Sequence, residues 1–284
     1  MKKSLTVIAM FGICISACGG KGGSAGSAAT SKTFTYNAPS AASSSEAGSL
    51  NSVVSAGTAQ NASLNASEAT SFVDFSSTTS ALLGPSGATF SITPTDGSAR
   101  LVHGRELVRQ AMDGSGNSFD NPACSTTATN KVTLTGCVLT ISQGTQKTVI
   151  HADGFVQGGS GAVSWDLTVK IAFTDSGSTD NVAATLHESG NLTVTSTTVK
   201  GQMVGDVSVS GTVKGQVQSI AVSESLTIDT TYQAGPPACV TSGTVEAKRV
   251  WTTRPSGSTA AQYPDKGAKV TWTGCGVASV AHSQ

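Results

Sequence analysis

The chain has 284 residues, and its 17 Lys and Arg residues balance its 17 Asp and Glu residues. Charged residues make up 12% of the chain, about half the usual share of a globular protein. This composition provides no basic face for nucleic acid and no acidic run for a cation-rich partner. The abundant Ser, Thr and Val residues favour β-strands with a solvent-facing side instead.

The first stretch of the chain has the composition of a targeting segment. Lys2 and Lys3 form a positively charged start, and residues 5–15 form an apolar core. That core is shorter than the roughly 18 residues of a membrane-spanning helix. We therefore predict that residues 1–17 are a signal peptide.

The sequence Ile15-Ser16-Ala17-Cys18 resembles the lipobox of bacterial lipoproteins. The resemblance implies cleavage before Cys18 and a diacylglycerol on its thiol, with an acylated amine as the usual second attachment. Two or more acyl chains anchor a protein stably in a membrane. Position 19 is Gly rather than the Asp that resembles an inner-membrane retention signal, so the resemblance implies the outer membrane of a bacterial cell envelope. The alternative is an ordinary cleaved signal with a coincidental cysteine.

The next segment is dominated by Gly, Ser, Ala, Asn and Thr and has almost no large apolar residues. Such a composition is typical of a flexible linker. The sequence therefore predicts a lipidated linker over residues 18–70, followed by a β-rich domain over residues 71–284.

Two phrases occur twice in this domain and carry four of the six cysteines. Pro-Ala-Cys ends at Cys124 and again at Cys239, and Lys-Val-Thr-(Leu or Trp)-Thr-Gly-Cys ends at Cys137 and again at Cys275. We interpret each copy as two antiparallel strands, the first opened and the second closed by a cysteine. Cross-strand neighbours lie close to disulfide distance, so we predict the disulfides Cys124–Cys137 and Cys239–Cys275. Free thiols or a four-cysteine metal site are the alternatives, although zinc sites favour closer spacing.

Strand patterns fill the chain from residue 131 to residue 275. The clearest covers residues 162–174, where apolar and polar side chains alternate strictly as on a strand with one buried face. The whole pattern predicts a mostly β fold, an antiparallel meander of about nine or ten strands that forms a barrel or a sandwich. One short helix is predicted over residues 98–112. The other strands are predicted over residues 147–157, 182–188, 192–199, 202–213, 220–232, 239–252 and 268–275, with a turn at 189–191.

Three residues of the later strands are candidate ligand contacts. Glu224 interrupts an apolar strand face, so it is either a functional buried carboxylate or a residue at the rim of the sheet. Trp251 and Trp272 fall on opposing strands of the second cysteine unit. They form an aromatic patch for a glycan or lipid, or they pack against the disulfide.

Weaker patterns point to metal or acid–base chemistry, and each also has an ordinary explanation. Two His and two Asp residues on neighbouring strands are potential metal ligands, or simply a solvated sheet face: His151, Asp153, Asp166 and His187. A His103–Glu106 pair lies at contact spacing on the predicted helix. Residues 113–120 begin like a calcium loop but lack its Gly at position six and its Glu at position twelve. We therefore predict no catalytic residue, no metal and no cofactor.

These features together favour a lipid-anchored, non-enzymatic structural or binding module whose partner is the membrane, with a protein, glycan or lipid ligand left open. One alternative is a carrier of an apolar ligand in a β-sheet cavity. An exported hydrolase is less favoured, because the chain has only four histidines and none stands in a recognisable catalytic phrase. Residues 121–275 also resemble a loose class of Thr/Ser-rich bacterial lipoproteins, and that resemblance implies no activity.

Overall fold

The computed structural model describes residues 27–42, 82–83, 118–159, 161–213, 215–233, 239–275 and 277–284. The predicted signal peptide, Cys18, the helix over 98–112 with its His103–Glu106 pair, and most of the 113–120 loop lie outside these ranges. In the described part of the chain, no helix is long and apolar enough to cross a membrane.

The described residues are mainly strands. A four-residue helix, α1 (Ala28–Ser31), begins the described chain, and a short 3-10 turn covers Pro122–Cys124. The strands are β1 (Ser40–Ala41), β2 (Ser125–Ala128), β3 (Lys131–Gln143), β4 (Gln146–Gly159), β5 (Ala162–Asp175), β6 (Asn181–Val194), β7 (Thr198–Val213), β8 (Gln216–Gln233), β9 (Cys239–Thr253), β10 (Lys266–Gly274) and β11 (Val277–His282).

All eleven strands form one sheet in the order β1-β11-β10-β9-β8-β7-β6-β5-β4-β3-β2. From β2 to β11 every strand pairs antiparallel with its neighbour in the sequence, so the predicted mostly β meander is confirmed. The sheet is open, because its edge strands β1 and β2 do not pair within the described residues. Of the two predicted architectures, these strands therefore do not form a closed barrel.

One face of the sheet, which we call the inner face, is excluded from water. On β5, Val163, Val169 and Ile171 are buried, whereas Lys170 and Ala172 lie on the opposite, outer face and are exposed. The same alternation continues across the sheet, and Leu82 and Leu83 pack into the same core. Each fully buried Val, Leu or Ile side chain stabilises the fold by roughly 1.5–3 kcal/mol, so the inner face is the main source of stability.

Two glycines lie where the neighbouring strand leaves no room for a side chain. Gly154 on β4 has φ +128°, and a Cβ there would lie 1.9 Å from the Asp166 carbonyl oxygen. Gly201 on β7 has φ +156°, and a Cβ would lie 2.0 Å from the Asn191 carbonyl oxygen. Any side chain at either position would collide with the neighbouring strand, so only glycine fits.

The turn predicted at residues 189–191 is wrong, because β6 runs through it without a break. The turn lies instead at residues 195–197. Gly190 is needed for a different reason: a Cβ there would lie 2.5 Å from Cζ2 of Trp165. The glycine makes room for an indole ring on the inner face rather than for a change of chain direction.

Both predicted disulfides, Cys124–Cys137 and Cys239–Cys275, are present. The second unit is as expected, because Cys239 opens β9 and Cys275 directly follows β10. The first unit differs. Cys124 lies in the 3-10 turn, and Cys137 lies inside β3 beside a β-bulge instead of closing the strand. The repeated sequence thus gives the same cross-links in two different strand settings.

Residues 27–42, which fall within the predicted linker of residues 18–70, lie against the sheet. We call this segment the strap. It contains α1 and β1, and β1 pairs antiparallel with β11. Ala29 is fully buried. Lys32, Phe34 and Tyr36 are half-buried and the residues between them are exposed, as on a strand with one covered side. The strap therefore packs on the sheet although its composition is rich in small polar residues.

Candidate functional site

The strap first meets the outer face at β7 and β8. The Ser27 hydroxyl donates to Oδ1 of Asp206 over 2.8 Å, and it also hydrogen-bonds the Ser223 hydroxyl. The Ala29 backbone N–H donates to Oγ of Ser223 over 3.0 Å. These contacts fix the beginning of the strap near the middle of the sheet.

The strap then crosses β9 and β10. Lys32 Nζ lies 2.5 Å from Oδ2 of Asp265, and the Tyr36 hydroxyl donates to Oε1 of Glu246 over 2.7 Å. Burial and the nearby Glu246 carboxylate raise the pKa of Tyr36 well above its usual value, so Tyr36 stays a donor. A Cβ at Gly267 would lie 3.0 Å from Cγ of Phe34, which shows how closely the strap approaches β10.

The end of the strap covers one edge of the sheet. Ser40 pairs with Val280 on β11, and the Asn37 N–H donates to the His282 carbonyl over 2.9 Å. The Gln284 N–H donates in turn to the Thr35 carbonyl over 3.1 Å. Exposed strand edges invite pairing with other chains, so this part of the strap protects the β11 edge.

A chain of ionisable groups lies on the outer face beside the first strap contact. Nε2 of His187 is 2.9 Å from Oδ1 of Asp166, and Nδ1 of His187 is 4.0 Å from Oδ2 of Asp206. We call Asp166, His187 and Asp206 the outer cluster. The Asp206 side chain is only 9% exposed, compared with 55% for Asp166. At 4.0 Å the contact of His187 with Asp206 is electrostatic rather than a hydrogen bond.

The outer cluster favours the protonated form of His187. Asp206 and then Asp166 raise the pKa of His187 above its usual value, although burial of the ring works in the opposite direction. The cluster does not have the geometry of an activated nucleophile, in which the base contacts a serine. Ser27, whose hydroxyl adjoins the cluster, donates to Asp206 instead of His187. The outer cluster therefore does not support the hydrolase hypothesis.

The predicted metal set is only partly assembled. Asp166 and His187 are in contact, but Asp153 accepts the Gly136 N–H over 2.6 Å and His151 lies opposite Lys170. Across the described ranges, no group of three or more His, Cys, Asp or Glu side chains is placed to hold a metal ion.

Glu224 lies in the core, not at a rim. It sits directly opposite Arg249 on β9, and Nε of Arg249 donates to Oε1 of Glu224. Both side chains are about 1–2% exposed. Arg249 was missed because its strand pattern alone does not show that the charge faces inward. The available sequence signal is that a charged residue interrupts the apolar face of β8 at Glu224 and that of β9 at Arg249.

The two tryptophans do not form a shared aromatic patch. Trp272 lies opposite Gly243 on β9, eight positions along that strand from Trp251. Both indoles are buried, and Trp251 packs edge-on against Tyr263 with 5.2 Å between ring centroids. The two indoles therefore do not lie side by side, as the alternative of one aromatic patch for a glycan or lipid requires.

Comparison of the chain with known protein families, with curated proteins and with solved structures finds no significant match.

Proposed function

We propose that this protein is a lipid-anchored component of a bacterial cell envelope and that its β-sheet domain acts as a non-enzymatic structural or binding module. The observation that carries the proposal is the pair of disulfides, Cys124–Cys137 and Cys239–Cys275. Protein disulfides persist mainly in oxidising compartments outside the cytoplasm. They support an exported domain, and the lipobox-like sequence before Cys18 supplies its attachment to a membrane.

The position of the strap supports attachment close to the bilayer. Ser27 is tied to the sheet and follows Cys18 by only nine positions. Nine extended residues span at most roughly 30 Å. A domain anchored through Cys18 would therefore stand near the membrane surface. The resemblance to a lipobox, with Gly rather than Asp at position 19, favours the outer membrane.

A substitution at the lipid site tests the anchor. We expect Cys18→Ser to abolish lipid attachment. The variant should then either leave the membrane fraction or keep its uncleaved signal peptide. Cys14→Ser is the matched control, because Cys14 lies in the predicted signal peptide and should leave lipidation unchanged. Equal lipid labelling of both variants would reject the proposed anchor.

A carrier of an apolar ligand is the second candidate, and one side chain favours it. The indole N–H of Trp165 is buried on the inner face and has no hydrogen-bond partner among the described residues. Leaving such a donor unpaired costs about 1–3 kcal/mol, and an oxygen of an otherwise apolar ligand would satisfy it. Native mass spectrometry of the extracted protein tests this role. A bound ligand that Trp165→Phe loses supports the carrier, and a ligand-free wild-type protein rejects it.

A further inference from the structure

The first contact of the strap buries a negative charge. The Asp206 side chain is 9% exposed, and Ser27 donates to one of its oxygens. A carboxylate removed from water is costly unless hydrogen bonds and an opposite charge compensate it. The Ser27 hydroxyl supplies one hydrogen bond, and protonated His187 supplies a positive charge 4.0 Å from the other oxygen.

We infer that the beginning of the strap, residues 27–31, is a latch whose docking on the outer face is controlled by protonation of His187, so that it is closed when His187 is charged and opens when His187 is neutral. The latch follows from the geometry of the outer cluster alone. Its consequence for membrane distance, given below, rests on the proposed lipid anchor.

The groups around His187 define the charge balance. Its own strand presents uncharged Thr185 and Ser189 on the same face, and the strap and β8 contribute hydroxyl groups. The charged residues on the same face of the flanking strands are Asp166 and Lys170 on β5 and Asp206 and Lys200 on β7. Lys200 lies six positions from Asp206 and pairs with Asp229 of β8 over 2.8 Å. Beyond β5, β4 adds His151 and Asp153. Asp206 is the charge that the strap covers, and His187 is the cationic group of the outer cluster beside it.

The sign of the pH effect follows from linkage. Docking removes water from Asp206 and strengthens its attraction to the neighbouring imidazolium. In the docked state the pKa of His187 is raised, first by Asp206 and then by Asp166. A group whose pKa is raised by docking favours the docked state below its undocked pKa, and this preference is lost as the pH rises through the docked pKa. Each unit of difference between the two pKa values changes the docking equilibrium about tenfold.

Opening the latch would lengthen the connection between anchor and domain. With the strap docked, Cys18 and the first fixed residue, Ser27, are nine positions apart, or at most roughly 30 Å. Release of the residues before Lys32, which Asp265 holds, would free five further positions and add roughly 17 Å of extended chain. Mildly acidic conditions would therefore hold the domain near the bilayer, and more alkaline conditions would let it reach further.

Amide hydrogen exchange of the full extracted chain between pH 5 and pH 8.5 tests the latch. The readout is the protection of the Ala29 and Thr30 amides divided by that of β7 core amides, because this ratio cancels the intrinsic pH dependence of exchange. We expect the ratio to fall as pH rises in the wild type and to be flat in His187→Gln. His151→Gln is the matched control, since His151 lies on the same face but away from the strap, and it should retain the wild-type slope.

A flat ratio in the wild type, or an unchanged slope in His187→Gln, would overturn the latch. Normal β7 protection verifies that each variant is folded, so a lost slope cannot be ascribed to unfolding. The same series on Cys18→Ser separates the two proposals. A slope retained in this unlipidated variant supports the latch independently of the lipid. Wild-type protein that shows the slope but carries no lipid would contradict the anchor alone, whereas lipidated wild-type protein without a slope would contradict the latch alone.

Discussion

Glu224 and Arg249 form an ion pair inside the core, at directly opposed positions of β8 and β9. The same cross-strand row of the inner face carries Glu188 and Lys266, so charged side chains form a line through an otherwise apolar layer. Lys266 Nζ donates to the Leu83 carbonyl over 3.0 Å, which ties this row to the short segment packed in the core. Ion pairing and hydrogen bonding therefore contribute to this layer of the core beside apolar packing.

Breaking the buried pair should be strongly destabilising. Arg249→Met leaves the Glu224 carboxylate without its main opposite charge, and we expect a loss of about 3–5 kcal/mol in the free energy of unfolding. Replacing both partners, as in Glu224→Leu with Arg249→Met, should recover most of that loss because no charge then remains buried. Urea unfolding measures both. A double variant less stable than the single one would contradict this explanation.

Gly190 should not tolerate even one methyl group. In Gly190→Ala the new Cβ would lie 2.5 Å from the Trp165 ring, and we expect a destabilisation of about 1–3 kcal/mol from overpacking. Gly274→Ala is the control, because its nearest side-chain atom would be 3.9 Å away. Thermal unfolding of the two variants checks the difference. Equal stability of both would show that the Trp165 ring is not held over Gly190.

The two disulfides should contribute unequally. They close loops with sequence separations of 13 and 36 residues. In the chain-entropy model these loops correspond to about 3 and about 4 kcal/mol of stability. Paired Cys→Ser variants at Cys124 and Cys137, and at Cys239 and Cys275, compared by urea unfolding under oxidising conditions, should follow this order. A larger loss from the shorter loop would point to local contacts around Cys137 instead of loop closure.

His187 should make the stability of the folded protein pH-dependent. Because its folded-state pKa is raised by Asp206 and Asp166, its stabilising effect is fully present below its usual pKa of about 6.5 and is lost as pH rises through the folded-state value. The difference in unfolding free energy between wild type and His187→Gln should therefore shrink from pH 5.5 to pH 8.5. A difference that is constant over this range would mean that His187 acts only through packing.

Local patterns predicted the strands whose two faces have different environments. The alternation over residues 162–174 gave β5 almost to the residue, since its inner face is apolar and its outer face polar. The duplicated cysteine phrases predicted both disulfides, although only the second joins the ends of two paired strands as expected. These features depend on short stretches of chain, which is why they can be read from one sequence.

Features that depend on distant contacts were missed or misread. The role of Gly190 is set by Trp165, 25 positions earlier, and the inward position of Arg249 is set by its register with Glu224. The strap is the clearest case. Ser27 meets Asp206 across 179 positions, and nothing in the local composition of small polar residues signals that contact.

The intact mass of protein extracted from membranes, measured before and after reduction and alkylation, tests the central claim most directly. The account predicts a chain that begins at Cys18, is heavier by its acyl groups, and gains four alkyl tags only after reduction. A mass equal to that of an unlipidated chain, or four thiols that alkylate without reduction, would contradict an exported protein held in the envelope by a lipid anchor and two disulfides.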